Sequence, residues 1–594
     1  MKSQAFTRAS IDRCLSQTSV SGWRAACVET TPIWSDDPSI TTANLRWYAP
    51  PSVSTKTGIC LITISGGGYE GLSDGWLCEE FASFFTKHGV ACVDLEYRFR
   101  RDSAPYYGMS LKDARRAVRI VRSQAAARGF SPDKIGTISH SAGSHLALLL
   151  ATGSQVADWP GCFGRTDAVE AFEDCGDELD KTVSPKTNYA ITGAIAYALS
   201  DGDGKHNANR GYGAVLNSYI KFDSADPPAP LCLMHGCDDP WASPLASTQV
   251  FRKLKDMDVP AELHLYADRG HNFYGGCANP IPGCTHTAYD VYFERGLEFM
   301  RKIGLFGPLA AEESLVGRFP DDSARGVHLK ENLWEGRSVP GAQTGRCTSC
   351  IEWHIPSKLN TAAVQLICSG GEEAETVTVL RRCMNAKGMA VVTLQCRTAP
   401  AAALQDLQRA VRLVRSKAAT YGLNPNAIGT MGFGACGALV YSQAVKPGAD
   451  FYDHADAVDA LSGDVQWAYP VSMSDGSASG IMSAAEFSFA STNGIPPIMF
   501  LLGSDDVAAA MNSVKAWEEL RRVGVQSELH SIACSKKGFW KAGAPDTADV
   551  SWVERVFEFF HHENKTMQRA HFPDIYPKIL TPELVQKYRP THVK

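Results

Sequence analysis

The stretch TISHSAGSHLA, residues 137–147, sets a serine, Ser141, between a short apolar strand pattern (KIGTISH) and an apolar helical one (SHLALLL). Strand, sharp turn and helix form the setting in which a nucleophilic serine is lifted clear of a sheet. Such a turn needs a small residue two positions after the serine, and Gly143 supplies it. Two positions before, where glycine is usual, stands Ser139, still small enough for a tight elbow. Serine is also a common helix N-cap, so the stretch by itself leaves both readings open.

The chain repeats this pattern. TMGFGACGALV, residues 430–440, is nearly the same stretch with the serine gone. LKDARRAVRIVRSQAAARGFSPDKIGT from Leu111 matches LQDLQRAVRLVRSKAATYGLNPNAIGT from Leu404, an offset of 293 positions that holds through Ser141 and Gly434. Both runs place apolar residues at helical spacing (Leu111, Ala114, Val118, Val121, Ala125), then Gly and Pro, then an apolar strand. Farther out the offset drifts, as it does when loops change length and cores do not. NLRWYAPPSVSTKTGICLITISGGGYE (from Asn44) parallels CIEWHIPSKLNTAAVQLICSGGEEA (from Cys350). PLCLMHGCDDPW parallels PIMFLLGSDDVA, and AELHLYADRGHNFY parallels SELHSIACSKKGFW. Val/Ile/Leu-rich runs alternating with amphipathic helices predict, in each copy, a mostly parallel sheet with helices on both faces. The expected layout is a first domain over 1–305, a Gly/Pro/charge-rich linker over 306–327, a second domain over 328–562 and a polar tail over 563–594.

Length agrees with more than one core, since 594 residues exceed what a single core holds. A net charge of −6 without a concentrated basic face argues against nucleic-acid or anionic-membrane partners. No run has the apolar length of a membrane span, and MKSQAFTRASIDRCLSQTSV lacks the apolar core of a secretory signal, so a cytoplasmic location is expected. Of the 18 cysteines, Cys277 and Cys284 bracket a Pro/Gly loop, and Cys347 with Cys350 makes a lone CxxC. A zinc site needs a second ligand pair at matching spacing, and none is found, so ordinary thiols are expected and no metal.

The first copy offers partners for Ser141. A hydroxyl needs a base to take its proton, and the base needs an acid to hold its tautomer. HGCDDPW and DRGHNFY each follow an apolar strand and supply Asp239 and His271 in the order Ser, Asp, His. Asp238 is the second candidate for the acid. SGGGY, residues 65–69, follows the strand GICLITI, and its glycines allow backbone N–H groups to approach a developing oxyanion. Gly67, Gly68 and the N–H of Ala142 are the expected donors. GxxxxGK[ST] is absent from the sequence, which disfavours a P-loop nucleotide reading of this loop.

The second copy lacks most of these parts. Gly434 stands for Ser141, Lys537 for His271 and Glu372 for Gly68, while Asp506 remains opposite Asp239. Cys436, in the place of Gly143, reads as a packed thiol. Between nucleophile and acid positions the first copy spans 98 positions (Ser141 to Asp239) and the second 72 (Gly434 to Asp506). The difference falls in the segment holding Trp159 and Phe163, where a lid or acyl-pocket wall is one reading and a plain surface loop the other.

SGGGYEGLSD, LKDARRAVRIVRSQAAARGFSPDKIG, SHSAGSHLA and AELHLYADRGHNFY together resemble α/β-hydrolase esterases of the acetylxylan esterase, feruloyl-esterase-like (lipase-like) type. TPIWSDDP from Thr31 and NLWEGRSVPGA from Asn332 resemble two copies of a lead-in common there. The resemblance implies two tandem α/β-hydrolase domains, the second degenerate. It further implies removal of small O-acyl groups, acetyl foremost, from a sugar, oligosaccharide or small-molecule ester, by a serine acyl-enzyme without cofactor or metal. Ser141 would be nucleophile, His271 general acid/base, Asp239 its orienter, and Gly67, Gly68 and Ala142 the oxyanion donors. The competing expectations are a peptidase or thioesterase using the same triad, and a non-catalytic binding or scaffold protein.

Overall fold

The structure, a computed structural model, describes residues 25–51, 56–69, 71–72, 75–99, 106–154, 177–195, 220, 222–239, 241–267, 270–271, 288–306, 326–336, 339–340, 349–359, 362–369, 374–477, 480–489, 491–533, 552 and 556. Two compact units divide the chain, with the main division between Pro308 and Leu309.

The first unit contains β1 (Cys27–Pro32), β2 (Asn44–Tyr48), β3 (Cys60–Ile64), β4 (Ala91–Glu96), β5 (Ile135–His140), β6 (Tyr189–Gly193), β7 (Leu231–Gly236) and β8 (Ala261–Tyr266). Their order across the sheet is β1-β2-β4-β3-β5-β6-β7-β8. β1 and β2 are antiparallel to their neighbours, and from β4 to β7 the strands run parallel. Every residue of β3, β5, β6 and β7 is buried, which is why these strands read as continuous apolar runs rather than alternating ones. Edge strand β1 is instead exposed along most of its length. The main helices are α1 (Gly75–Lys87), α2 (Tyr106–Ser123), α3 (Ala142–Thr152), α4 (Pro244–Asp256) and α5 (Ala288–Lys302).

The second unit repeats the plan with β9 (Val327–Asn332), β10 (Cys350–Ile355), β11 (Val364–Ser369), β12 (Ala390–Gln395), β13 (Ile428–Phe433), β14 (Trp467–Val471), β15 (Ile498–Gly503) and β16 (Ser527–Ile532). The same order of neighbours recurs: β9-β10-β12-β11-β13-β14-β15-β16. Its helices are α6 (Ala374–Ala386), α7 (Pro400–Lys417), α8 (Ala435–Ala444) and α9 (Val507–Arg522). Both units therefore have the mixed, mostly parallel sheet of the α/β-hydrolase fold. No described helix is long and apolar enough to cross a membrane.

A repeated polar lock holds each lead-in segment. Trp34 donates its indole N–H to Asp113 on α2 at 2.7 Å, and Arg98 beyond β4 pairs with the same carboxylate at 2.6 Å. In the second unit Trp334 donates to Asp406 on α7 at 2.7 Å, and Arg397 pairs with it at 2.8 Å. Both carboxylates are fully buried, so the guanidinium and indole compensate the charge that folding removes from water. Asp113→Ala is expected to destabilise the first unit by about 3 kcal/mol, since it leaves a largely buried Arg98 without its partner. Urea unfolding checks this, and a loss below about 1 kcal/mol would contradict it.

Candidate active site

The carboxyl ends of β3, β5, β7 and β8 deliver the site, the edge at which chemistry collects in such sheets. Ser141 forms the turn between β5 and α3 with φ 56° and ψ −121°, a conformation L-residues rarely adopt. Gly434, at the same turn of the second unit, has φ 56° and ψ −118°. The elbow is thus retained in both copies, and only in the first does a side chain bear its strain.

Ser141 Oγ lies 2.8 Å from His271 Nε2, and His271 Nδ1 lies 2.7 Å from Asp239 Oδ2. The fold thereby brings together three residues up to 130 positions apart. Asp239, rather than the exposed Asp238, faces the histidine and is fully buried. Its other oxygen accepts from the N–H groups of Trp241 (2.8 Å) and Ala242 (2.9 Å). Burial by itself would raise the Asp239 carboxyl, but hydrogen bonds from His235 and His271 outweigh it and hold the group well below the usual carboxylate range. Ser141 keeps 7% of its surface exposed.

The glycine loop approaches the elbow because β3 lies beside β5, with Ile64 opposite Ser139. Gly67 and Gly68 have positive φ of 133° and 62°. Ala142 opens α3. Gly143 explains the small residue after the nucleophile: a Cβ there would come within 2.3 Å of the Ile64 carbonyl and 2.7 Å of that of Ser65. Ser139 tolerates its side chain because the hydroxyl reaches Ser144 Oγ and the Ile191 carbonyl, each at 3.1 Å.

Several supporting residues escaped the sequence reading. His235 bonds Asp239 at 3.1 Å, so the histidine of HGCDD fixes the acid. His140 Nε2 meets the carbonyl of His271 at 2.9 Å, and Tyr292 donates to the Ser139 carbonyl at 2.6 Å. Tyr69 (φ 60°) bonds His145 Nδ1 at 2.6 Å, and Tyr97 donates to the Ser65 carbonyl at 2.8 Å, so two buried aromatics pin the glycine loop. The signal lay in the repeat: at the 293-position offset His145 becomes Ala438, a loss beyond those of the serine and histidine.

Burial lowers His145 to about 3 from the usual 6.5, so it is neutral and accepts or donates as an uncharged ring. The unfolded chain takes up a proton near pH 6.5 that the folded one refuses until about 3. Its stabilising contribution is therefore complete above that window and declines by about 1.4 kcal/mol per pH unit on acidification through it. Urea unfolding of wild type and His145→Asn between about pH 4 and 6 should show the shallower slope in the variant, and parallel slopes would refute the assignment.

In the second unit Asp506 caps α9, accepting from Ala509 N–H. A Cβ added to Gly434 would meet nothing within 4 Å. Lys537 and Glu372 lie outside the described residues, as do Trp159, Phe163, Cys277, Cys284 and Cys347. Cys350 sits in β10 as a free thiol.

The family model described as BD-FAE matches residues 45–191 and again 369–466, once in each unit. An acetylxylan esterase of Xylanibacter ruminicola is 28% identical over 98 residues, covering 16% of this chain and 20% of that protein. The chain thus spans about a fifth of the length of the curated relative it matches. Among solved structures, a propionate-bound thermophilic esterase of Thermogutta terrifontis is 20% identical with a TM-score of 0.37, covering 50% of this chain and 99% of that one. An acetyl ester-xyloside bifunctional hydrolase of Caldicellulosiruptor lactoaceticus is 24% identical with a TM-score of 0.36, covering 48% of this chain and 100% of that one. In sheet topology and in the turns at Ser141 and Gly434 both units have the α/β-hydrolase fold, and part of each is similar to the family described as BD-FAE.

Proposed function

We propose that the first unit is a serine carboxylester hydrolase that removes small O-acyl groups, acetyl foremost, from a carbohydrate or small-molecule ester, and that the second unit has no catalytic role. The observation that carries this reading is the continuous array Ser141–His271–Asp239, with contacts of 2.8 and 2.7 Å. His271 Nε2 takes the Ser141 proton as Oγ attacks the acyl carbon, and Asp239 holds Nδ1–H and stabilises the imidazolium. The carbonyl oxygen, now anionic, is received by the N–H of Ala142 and those of Gly67 and Gly68. His271 returns the proton to the departing alcohol, leaving an acyl-Ser141 that water hydrolyses by the same route. The acetylxylan esterase relative supports acetylated sugars as the first substrates to try.

Fluorophosphonate labelling of wild type and Ser141→Ala, beside p-nitrophenyl acetate turnover, tests the proposal. Labelling and turnover confined to wild type are expected. A wild type that is folded yet neither labels nor turns over would sink it. In a panel of acetyl, butyryl, thioester and dipeptide substrates, acetyl esters should lead; preference for the amide would turn the reading to a peptidase.

A further inference from the structure

The second unit carries a cluster its first copy lacks. Cys368 is the penultimate residue of β11, Cys396 follows β12, and Cys436 lies in the first turn of α8. Their sulfur atoms all lie within 4.8 Å of one another, Cys368 and Cys396 at 3.6 Å. Strand register identifies the corresponding positions of the first unit: Cys368 stands opposite Gly432 as Ile64 stands opposite Ser139, and opposite Leu394 as Ile64 stands opposite Leu95. The three cysteines therefore occupy the places of Ile64, Tyr97 and Gly143, of which Tyr97 pins the glycine loop and Gly143 packs against the Ile64 and Ser65 carbonyls. Where the first unit has an apolar side chain, a phenol and a glycine, the second has three thiols.

We infer that these thiols form a binding site for a thiophilic cation, Cu(I) in particular, beneath the serine-free elbow of the second unit. Three sulfurs coordinating one ion at about 2.3 Å in a plane stand about 4 Å apart, so the observed spacing needs little adjustment. Among the described residues the group has these three donors, which suits a trigonal soft ion better than a structural zinc with its four ligands. Cys368 and Cys436 are buried and Cys396 is partly exposed, which gives the ion a side from which to enter. As each sulfur–metal bond forms, its S–H proton passes to solvent, and no electron is transferred.

The full chain, reduced by a phosphine under anaerobic conditions, would be titrated with Cu(I) against a chromogenic Cu(I) chelator. The wild type should withdraw one tight equivalent that Cys368→Ser/Cys396→Ser/Cys436→Ala cannot. Cys396→Ser alone, at the partly exposed position and so least disturbing to the fold, should weaken binding by more than the about 100-fold typical of losing an outer partner. Circular dichroism would establish that both variants are folded. Equal copper uptake by wild type and the folded variants would overturn the site. So would peptide mapping that finds Cys368 and Cys396 joined as a disulfide that persists after the reduction, since two of the three donors would then be gone.

Discussion

Ser141→Gly is expected to lower acetyl-ester turnover by about 10⁵–10⁶-fold and yet to be more stable than Ser141→Ala by about 1–2 kcal/mol. The two variants remove the same hydroxyl, so their activity losses should coincide. They differ in backbone: alanine keeps a Cβ at φ 56° and ψ −121°, whereas glycine adopts that turn without strain. Glycine also has more freedom to lose on folding, which offsets about 0.4–1 kcal/mol of the gain. The second unit supplies the reverse experiment. At Gly434, with φ 56°, nothing stands within 4 Å of an added Cβ, so Gly434→Ser meets no clash and should cost about 1–2 kcal/mol from backbone strain alone. It should also create no esterase activity, because sequence places Lys537 where His271 would be. Thermal or urea unfolding of the four proteins checks the stabilities. If Ser141→Gly proved no more stable than Ser141→Ala, the strained elbow would be refuted.

Asp239→Asn is expected to reduce kcat by about 10³–10⁴-fold with little change in KM. The asparagine carbonyl is held by the N–H groups of Trp241 and Ala242, which already bond Oδ1. Its amide nitrogen must then take the place of Oδ2 and face His271 Nδ1 and His235 Nε2. A donor there makes Nδ1 of His271 the acceptor and puts the proton on Nε2, so the imidazole can no longer accept one from Ser141. The wild-type carboxylate stays ionised across the working range because its hydrogen bonds outweigh burial, so Asp239 should add no acid limb of its own to the pH–rate profile. Steady-state kinetics with p-nitrophenyl acetate measures both effects, and a loss under about tenfold would remove Asp239 from the triad.

Much of this was legible from residue order. Parallel strands buried on both faces must be apolar throughout, so GICLITI, KIGTISH and PLCLMHG announced themselves as core strands. That Ser141, Asp239 and His271 meet was legible because each follows such a strand, where the sheet's carboxyl edge gathers loops. The supporting contacts were not. His145, Tyr69 and Tyr97 reach their partners across strands and helix, at sequence separations of 76 for Tyr69 with His145 and 32 for Tyr97 with Ser65. Nothing in local spacing distinguishes such aromatics from ordinary core.

By itself the sequence determined that an α/β unit occurs twice, that only the first copy retains serine, acid and histidine together, and that the second has Gly434 where the first has Ser141. These are properties of local pattern: periodicity reports burial, and a turn's conformation restricts the residues within it. Only the tertiary structure decided that Asp239 rather than Asp238 faces His271, that a tyrosine–histidine pair pins the glycine loop, and that Cys368, Cys396 and Cys436 share one site. The cysteines are separated by 28 and 40 positions along the chain, a spacing no ligand motif predicts. They meet because β11 and β12 are parallel neighbours and α8 starts where the adjacent β13 ends, so strand order, which is set by packing of the whole sheet, chooses the neighbours.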